Sequence, residues 1–229
     1  MVIKSPIIGV DFGQTVDPSA ICFGMYGGEI DIPSEDKTKP SKKEPILHLK
    51  YLERLELGIR YEDQICQLKK VYDKVKEQTG KTPVLIVDAT GVGKAVTEMV
   101  RKAGMYPISV TVTGGNGVTK EGRDWKVSKK ELVSPIIVGI QNGTVQIAKS
   151  LEHADLVKKE MAAFKLKINI ATGNESFEAW RQKDHDDLVF ACALVAYAFF
   201  NASESGVIAW SKIPSKYNDG MVNNWNKYR

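Results

Sequence analysis

The side chains best suited to chemistry lie together at Asp184, His185, Asp186 and Asp187. They run without a break into the segment LVFACALVAYAF, which is apolar on every side and therefore predicts a buried helix. The acidic start of this helix must lie at the edge of the core, with Asp186 and Asp187 about 100° apart on its first turn. Helix capping and the helix dipole explain one acid at such a place. Three acids beside a histidine favour a metal site or a proton-transfer site, provided that other carboxylates reach the same edge.

Two further acids stand at the ends of predicted strands. Asp11 ends the apolar run of Pro6–Gly13, PIIGVDFG, and Asp88 ends the continuous apolar run of Pro83–Asp88, PVLIVD. A run of the second kind is typical of a strand that is covered on both faces. Ligands of open α/β sheets bind at the carboxyl ends of the strands. We therefore expect both acids at one edge, where the last helix delivers Asp186 and Asp187.

The elements that position these acids follow from hydrophobic periodicity and turn residues. Ser128 and Glu131 form the S-x-x-E pattern of a capping box at the start of one helix. The predicted strands are Pro6–Gly13, Ser19–Tyr26, Ile46–Leu57, Pro83–Asp88, Tyr106–Val112 and Val145–Ala148, and the predicted helices are Tyr61–Gln78, Lys94–Ala103, Ser128–Gln141, Glu152–Phe164 and the buried helix. The segments expected to be irregular are the basic excursion Asp31–Pro45, the glycine-rich loop Thr113–Lys126, Lys165–Trp180 and the tail after Asn201. Three antiparallel strands followed by alternating helices and parallel strands predict an α/β protein with a ribonuclease H-like mixed sheet flanked by helices.

Clustered carboxylates need a physical reason to assemble. Two such charges about 4 Å apart repel by roughly 4 kcal/mol at an effective dielectric near 20. Mg²⁺ and Mn²⁺ remove this cost because they prefer oxygen ligands. Two of these ions, about 3.5 to 4 Å apart, can hydrolyse a phosphodiester by activating water and stabilising the leaving oxygen.

Composition narrows the class of protein. The chain has 229 residues, enough for one large domain, and a formal net charge of +4, which permits a polyanionic partner without requiring one. Its three cysteines, Cys22, Cys66 and Cys192, are far apart in sequence and lie in apolar surroundings, so neither a zinc site nor a disulfide framework is indicated. Asp11 interrupts the first apolar run too early for a signal peptide, and no apolar run reaches membrane-spanning length. We expect a cytoplasmic protein that does not enter a membrane.

Four motifs, taken in order, resemble one family. GVDFGQTVDPSAI, VLIVDATGVGKAV, KVSKKELV and HDDLVFACALVAYA are similar to the C-terminal nuclease domain of the large terminase subunit of tailed bacteriophages. The likeness covers roughly residues 6 to 200. It implies a ribonuclease H-like, RuvC-like endonuclease that cuts concatemeric double-stranded DNA during genome packaging in the host cytoplasm.

The resemblance also implies roles for individual residues. Asp11 would bridge two Mg²⁺ or Mn²⁺ ions, Asp88 would bind one, and Asp186 and Asp187 would supply the remaining ligands, with no preference between them. His185 would orient a water or a phosphate, or would serve only the start of the helix. The implied partners are the terminase ATPase domain, the portal protein and the small terminase subunit. The basic residues placed for contact with a DNA backbone, or alternatively on solvated surfaces, are Lys126, Lys129, Lys130, Lys42 and Lys43.

The chain departs from the intact family protein because it has no ATPase motor. The segment Asp88–Ala95, DATGVGKA, fails the phosphate-loop pattern at both ends. We expect an isolated, monomeric nuclease domain over residues 1–200, followed by an irregular tail over 201–229.

Three alternatives stay open. The carboxylates alone do not exclude a metal-dependent Holliday-junction resolvase, although the segment Lys126–Val133 and the tail favour a terminase. A non-enzymatic module that grips DNA or docks on the portal would need neither metal nor ATP for its partner. An actin-like or sugar-kinase-like fragment is suggested by the DFGQT turn that begins at Asp11, and it would need ATP.

Overall fold

The computed structural model describes residues 4–13, 17–34, 38, 40–91, 93–161 and 186–201. Within these residues, eight strands form one mixed sheet with helices on both faces. The strands are β1 (Ile7–Asp11), β2 (Ala20–Ile32), β3 (Lys42–Arg54), β4 (Val84–Asp88), β5 (Ile108–Thr113), β6 (Val118–Glu121), β7 (Asp124–Ser128) and β8 (Val145–Ile147). The helices are α1 (Tyr61–Thr79), α2 (Gly93–Lys102), α3 (Lys129–Asn142), α4 (residues 154–161) and α5 (Asp187–Asn201). The predicted α/β class with a mixed sheet is confirmed.

The order of strands across the sheet is β6-β7-β5-β4-β1-β2-β3-β8. β1, β2 and β3 pair antiparallel in succession, whereas β4 and β5 continue the sheet parallel to β1, and β7 is parallel to β5. The strands β1, β3, β4, β5 and β7 therefore all end at the same edge. We call this the carboxyl edge; it is where a ligand site of an open α/β sheet is expected.

Helix α5 is the centre of the larger core. Every residue from Leu188 to Phe199 is buried, which confirms the helix predicted from its uniform apolarity. The sheet covers one side of α5, and Ile136 of α3 and Val157 of α4 belong to the same buried cluster. The opposite face of the sheet packs against α1 and α2 in a second cluster.

Gly9 of β1 allows α5 to lie close to the middle of the sheet. A Cβ atom at this position would collide with the carbonyl oxygen of Ala191 and would lie 2.8 Å from Cγ2 of Val195. Contacts this short do not occur in folded proteins, so any larger residue would force the helix away from the sheet. The glycine thus fixes the distance between α5 and β1, the strand that carries Asp11.

The glycine-rich segment Thr113–Lys126 is not the loop that the sequence suggested. Residues Val118–Glu121 and Asp124–Ser128 form the antiparallel hairpin β6/β7, which extends the sheet beside β5. Trp125 is only 1% exposed, and its ring meets that of Tyr197 edge to face, with centroids 6.2 Å apart. Buried Trp125 and Val127 alternate with exposed Lys126, which is the pattern of a strand with one face in the core. The burial of Trp125 stabilises this strand although the segment is rich in glycine.

The β2/β3 hairpin is longer than predicted. Its ladder continues to the pair Ile32 and Lys42, so Lys42 and Lys43 belong to a strand and not to the basic excursion. Both lysines are exposed, and Lys42 pairs with Glu44 at 2.5 Å. Charged residues of this kind are common on exposed strand ends, where they discourage pairing with other chains.

The helix cap at Ser128 is as predicted, whereas one of the three cysteines is not in its predicted setting. Ser128 caps α3 by accepting a hydrogen bond from the backbone N–H of Glu131, as the sequence predicted. Cys66 is exposed, in contrast to the expected apolar setting, whereas Cys22 and Cys192 are buried and adjacent.

The segment Lys165–Trp180 and the tail after Asn201 lie outside the described residues. Among the helices of the described part of the chain, none is long and apolar enough to cross a membrane.

Candidate functional site

A row of side chains crosses the sheet at the carboxyl edge. Asp11 lies opposite Asp88 in the parallel pair of β1 and β4. On its other side Asp11 lies opposite Ala20 of β2, and Ala20 lies opposite Arg54 at the end of β3. Neighbouring strands are about 4.8 Å apart, so the row from Arg54 to Asp88 spans roughly 14 Å. Two carboxylates and one guanidinium therefore arise from a single level of the sheet.

These side chains share the face that α5 covers. Successive residues of a strand point to opposite faces, so residues two apart share a face. The residues two positions before Asp11, Asp88 and Arg54 all border α5 or its core: Gly9, Ile86 and Leu52. The row therefore lies beneath the start of α5, where Asp186 and Asp187 are found.

The backbone beyond Asp11 is held by a buried hydrogen-bond network. Ser19 Oγ accepts from the Gly13 N–H at 2.9 Å and donates to Gln64 Oε1 at 2.7 Å. Gln64 Nε2 in turn donates to the carbonyl of Ile59 at 2.8 Å. Because satisfied buried polar networks are rigid, the chain that leaves Asp11 is tied to β2 and α1.

Asp88 is 1% exposed and is oriented by the turn that follows it. Its Oδ1 accepts from the Thr90 N–H at 2.7 Å. Thr90 is itself held because its Oγ1 accepts from the Val112 N–H of β5 at 2.7 Å. The carboxylate thus has a fixed direction at the end of β4, as a preorganised ligand requires.

Asp186 stands immediately before α5, and its carbonyl accepts from the Phe190 N–H at 2.9 Å. The sequence predicted Asp186 in the first turn of the helix. In the structure Asp186 instead occupies the capping position just before the first turn. Its Oδ2 is 3.9 Å from Lys129 Nζ. Lys129 is only 8% exposed, and its ammonium lies 4.7 Å from the centroid of the Phe190 ring. A lysine predicted to contact DNA is thus held inside, where it faces an acid and an aromatic ring.

Asp187 is bound from the opposite side by Arg54. Arg54 Nε donates to Oδ2 of Asp187 at 2.8 Å, and Nη2 donates to Oδ1 at 2.9 Å, which is a bidentate pair. The same Nη2 also donates to Glu160 Oε1 of α4 at 2.5 Å. Burial alone would lower the pKa of Arg54, but its hydrogen bonds and attraction to Asp187, with a further contribution from Glu160, raise that pKa above its ordinary value.

Glu160 accepts from Arg54 through one oxygen, whereas Asp187 accepts through both. Burial raises the pKa of Glu160 to about 7, with repulsion from Asp187 in the same direction, although Arg54 and a hydrogen bond from the Val189 backbone act to lower it. The ion pair with Arg54 and the burial have opposite effects on the pKa of Glu160, and burial has the larger effect. The other oxygen of Glu160, Oε2, is buried without a hydrogen-bond partner among the described residues.

The structure brings four of the predicted acids to one edge and leaves other predicted residues elsewhere. Asp11, Asp88, Asp186 and Asp187 all lie at the carboxyl edge, whereas His185 lies outside the described residues. Lys126 and Lys130 are exposed, the first in the middle of β7 and the second in the first turn of α3. Lys42 and Lys43 lie at the other end of the 13-residue β3, at roughly 3.3 Å per residue about 40 Å from Arg54.

The donor set has the chemistry of a site for a hard divalent cation. Asp11 and Asp88 are carboxylates in register, and Asp186 offers a third oxygen donor at the same edge. No three His, Cys, Asp or Glu residues within the described parts of the chain are already close enough to hold an ion together. The third carboxylate lies towards Lys129, so an ion would have to draw it from that lysine.

Sequence reasoning missed Arg54 and Glu160. Arg54 had a usable signal, because it ends β3, whose leucines Leu47, Leu49 and Leu52 are buried in the cluster around α5, and it lies two residues after Leu52. A charged side chain on the same buried face of such a strand requires an oppositely charged partner. Glu160 had no such signal, since its neighbours in α4 are typical of a partly exposed helix.

Comparison with known proteins supports this fold. No family model and no curated protein matches the sequence. The large terminase nuclease from the thermophilic phage G20c matches with a TM-score of 0.50 and 19% identity, over 83% of this chain and 80% of that one. The Mn-soaked, inhibitor-bound human cytomegalovirus terminase nuclease domain matches with a TM-score of 0.50 and 9% identity, over 86% of this chain and 83% of that one. The chain therefore has the fold of large terminase nuclease domains, which confirms the predicted resemblance at the level of the fold.

Proposed function

We propose that this chain is a metal-dependent DNA endonuclease of the terminase type, which cuts concatemeric viral DNA during genome packaging in the host cytoplasm. The observation that carries the proposal is the register of Asp11 with Asp88 beneath the acidic start of α5. Two carboxylates held side by side repel each other unless a cation lies between them. The shared fold with terminase nucleases makes a phosphodiester the natural substrate of such a site.

Each acid has a role that follows from its place. Asp11, between Ala20 and Asp88 in the row, and Asp88, fixed by Thr90, would hold the ions from the sheet. Asp186 would supply a carboxylate from α5, because both oxygens of its neighbour Asp187 are bonded to Arg54. When bound, two Mg²⁺ or Mn²⁺ ions would supply an activated water and stabilise the leaving oxygen of the cut strand.

The balance of charge at the carboxyl edge suits two divalent ions. Among the described residues, five acidic side chains gather there against the two basic side chains of Arg54 and Lys129: Asp11, Asp88, Asp186, Asp187 and Glu160. The excess of acid is accommodated at neutral pH by a bound cation, or by protonation of a carboxyl such as Glu160. Cation binding would therefore reduce the electrostatic repulsion among these acids.

Double-stranded DNA would approach along the carboxyl edge. The exposed side chain of Lys130 at the start of α3 would contact phosphates beside the acids, and such contacts make affinity dependent on salt. Lys126 alternates with the buried Trp125 along β7, so its side chain would meet DNA only on the opposite face of the sheet. Lys42 and Lys43 lie too far away to touch the same few phosphates, so any role in DNA binding would concern a distant part of the duplex. The ATPase domain, the portal protein and the small terminase subunit are the partners that this function implies.

The direct test is incubation of the purified chain with supercoiled plasmid in Mn²⁺, Mg²⁺ or EDTA, without ATP. We expect nicking and linearisation with either metal, none in EDTA, and a loss of at least 100-fold in Asp88→Asn. Asp73→Asn is the matched control, because Asp73 is an exposed partner of Lys69 in α1 and should leave cutting unchanged. A folded wild-type chain that cuts with neither metal would favour a non-enzymatic docking module.

A further inference from the structure

We propose that Arg54 is a positioning residue of this site: its guanidinium fastens Asp187 of α5 and Glu160 of α4 to the end of β3, and thereby sets how tightly the neighbouring carboxylates hold metal. The inference rests on the proposed function, since it concerns the same metal site. It assigns a function to a side chain that does not itself touch the ions.

The first support is the geometry of the contacts. Arg54 uses Nε and Nη2 to bind both oxygens of Asp187, at 2.8 and 2.9 Å, and Nη2 also reaches Glu160. These three residues come from β3, α4 and α5, and Arg54 and Asp187 are 133 positions apart in sequence. One guanidinium thus links the ends of three elements, β3, α4 and α5, by side-chain hydrogen bonds.

The second support is burial. The side chains of Arg54, Glu160 and Asp187 are 20%, 9% and 5% exposed. By contrast, the surface pair of Arg60 and Asp63 joins side chains that are 76% and 55% exposed. Exposed pairs contribute little, whereas a buried bidentate pair fixes geometry because solvent cannot replace either partner.

The third support is the place of the pair relative to the predicted ligands. Arg54 lies in the row that contains Asp11, with only Ala20 between them. Asp187 is the residue after Asp186, so fixing its carboxylate also fixes the start of α5 from which Asp186 projects. A lysine at position 54 would keep the charge but has no planar fork with which to hold both oxygens. Shape as well as charge is therefore required.

The test is titration of the full chain, without DNA, with Mn²⁺, following the free-ion signal by electron paramagnetic resonance. We expect Arg54→Lys to remain folded and to bind Mn²⁺ about 10- to 100-fold more weakly, the range found when residues that orient metal ligands are changed. Arg60→Lys is the matched control, and its Mn²⁺ affinity should equal that of the wild type. Wild-type affinity in a folded Arg54→Lys would overturn the inference while leaving the proposed function intact.

A second variant decides the matter if Arg54→Lys does not fold. Asp187→Asn keeps an oxygen acceptor for Arg54, so we expect the same number of bound Mn²⁺ ions as in the wild type, held more weakly. Loss of a bound ion in Asp187→Asn would make Asp187 a direct ligand and would overturn the positioning account. A wild-type chain that binds no Mn²⁺ would contradict the proposed metal site, and with it this inference.

Discussion

Asp11 and Asp88 occupy the last positions of two adjacent parallel strands and lie opposite each other in the ladder. Their Cα atoms are therefore only about one strand spacing, roughly 4.8 Å, apart. This closeness carries an electrostatic cost for the metal-free protein, and the cost leads to the first prediction.

Asp11→Asn and Asp88→Asn should each leave the metal-free protein as stable as the wild type or more stable, by roughly 1 kcal/mol, because one of two repelling charges is removed. Mn²⁺ should raise the melting temperature of the wild type but not of either variant. The measurement is thermal unfolding in EDTA and in Mn²⁺. A clear drop in melting temperature in EDTA would contradict the electrostatic explanation.

Replacement of Gly9 should loosen the contact between β1 and α5. In Gly9→Ala the new methyl group collides with the backbone of Ala191, and overpacking of this kind typically costs about 1 to 3 kcal/mol. Urea unfolding measures the loss. Gly115→Ala is the control, because a Cβ there meets nothing within 4 Å and the change should be nearly neutral. Equal stability of the two variants would show that α5 does not need the close approach.

The pKa of Glu160, raised to about 7 by burial, predicts how stability depends on pH. An unfolded glutamate titrates near 4.3. Between these values the folded chain binds more protons than the unfolded chain, so this group's contribution to the unfolding free energy falls as pH rises from about 4.3 to 7. Glu160→Gln should flatten that part of the pH profile of the metal-free protein. A Glu160→Gln profile that runs parallel to the wild type would show that folding does not raise the pKa of Glu160.

Thiol labelling should distinguish the three cysteines. Burial raises the pKa of the Cys22 thiol well above its ordinary value, with a hydrogen bond to Cys192 acting in the same direction. Thiolates are the reactive form, so a buried thiol with a raised pKa is inert. We expect a thiol reagent to modify Cys66 rapidly in the native protein and the other two only after unfolding. Fast modification of Cys66→Ser would contradict this order.

The fold and part of the site were predictable because their signals are local. A strand such as Pro83–Asp88 shows itself by a continuous apolar run that ends in an acid, and α5 by an apolar sequence without a polar face. The hairpin of β6 and β7 was missed because glycines around residues 114–117 outweighed the short alternation at Trp125.

Arg54 and Glu160 were not placed from the sequence because the partners that give them their importance meet only in the folded chain. The arginine is one of many charged residues at strand ends, and its partner Asp187 is 133 positions away. The burial of Lys129 was also not predictable from its local sequence, since a lysine that begins a helix is normally solvated. Its neighbours Phe190 and Asp186 come from the other end of the chain.

The central claim is that Asp11, Asp88 and Asp186 hold the ions that cut DNA. Anomalous diffraction from crystals of the full chain soaked in Mn²⁺ tests it most directly, because each bound ion gives its own peak. The account predicts manganese at the carboxyl edge, about 2.0 to 2.2 Å from carboxylate oxygens of Asp11 and Asp88, with Asp187 still paired to Arg54. Manganese that binds elsewhere while this edge stays empty at saturating concentration would contradict it.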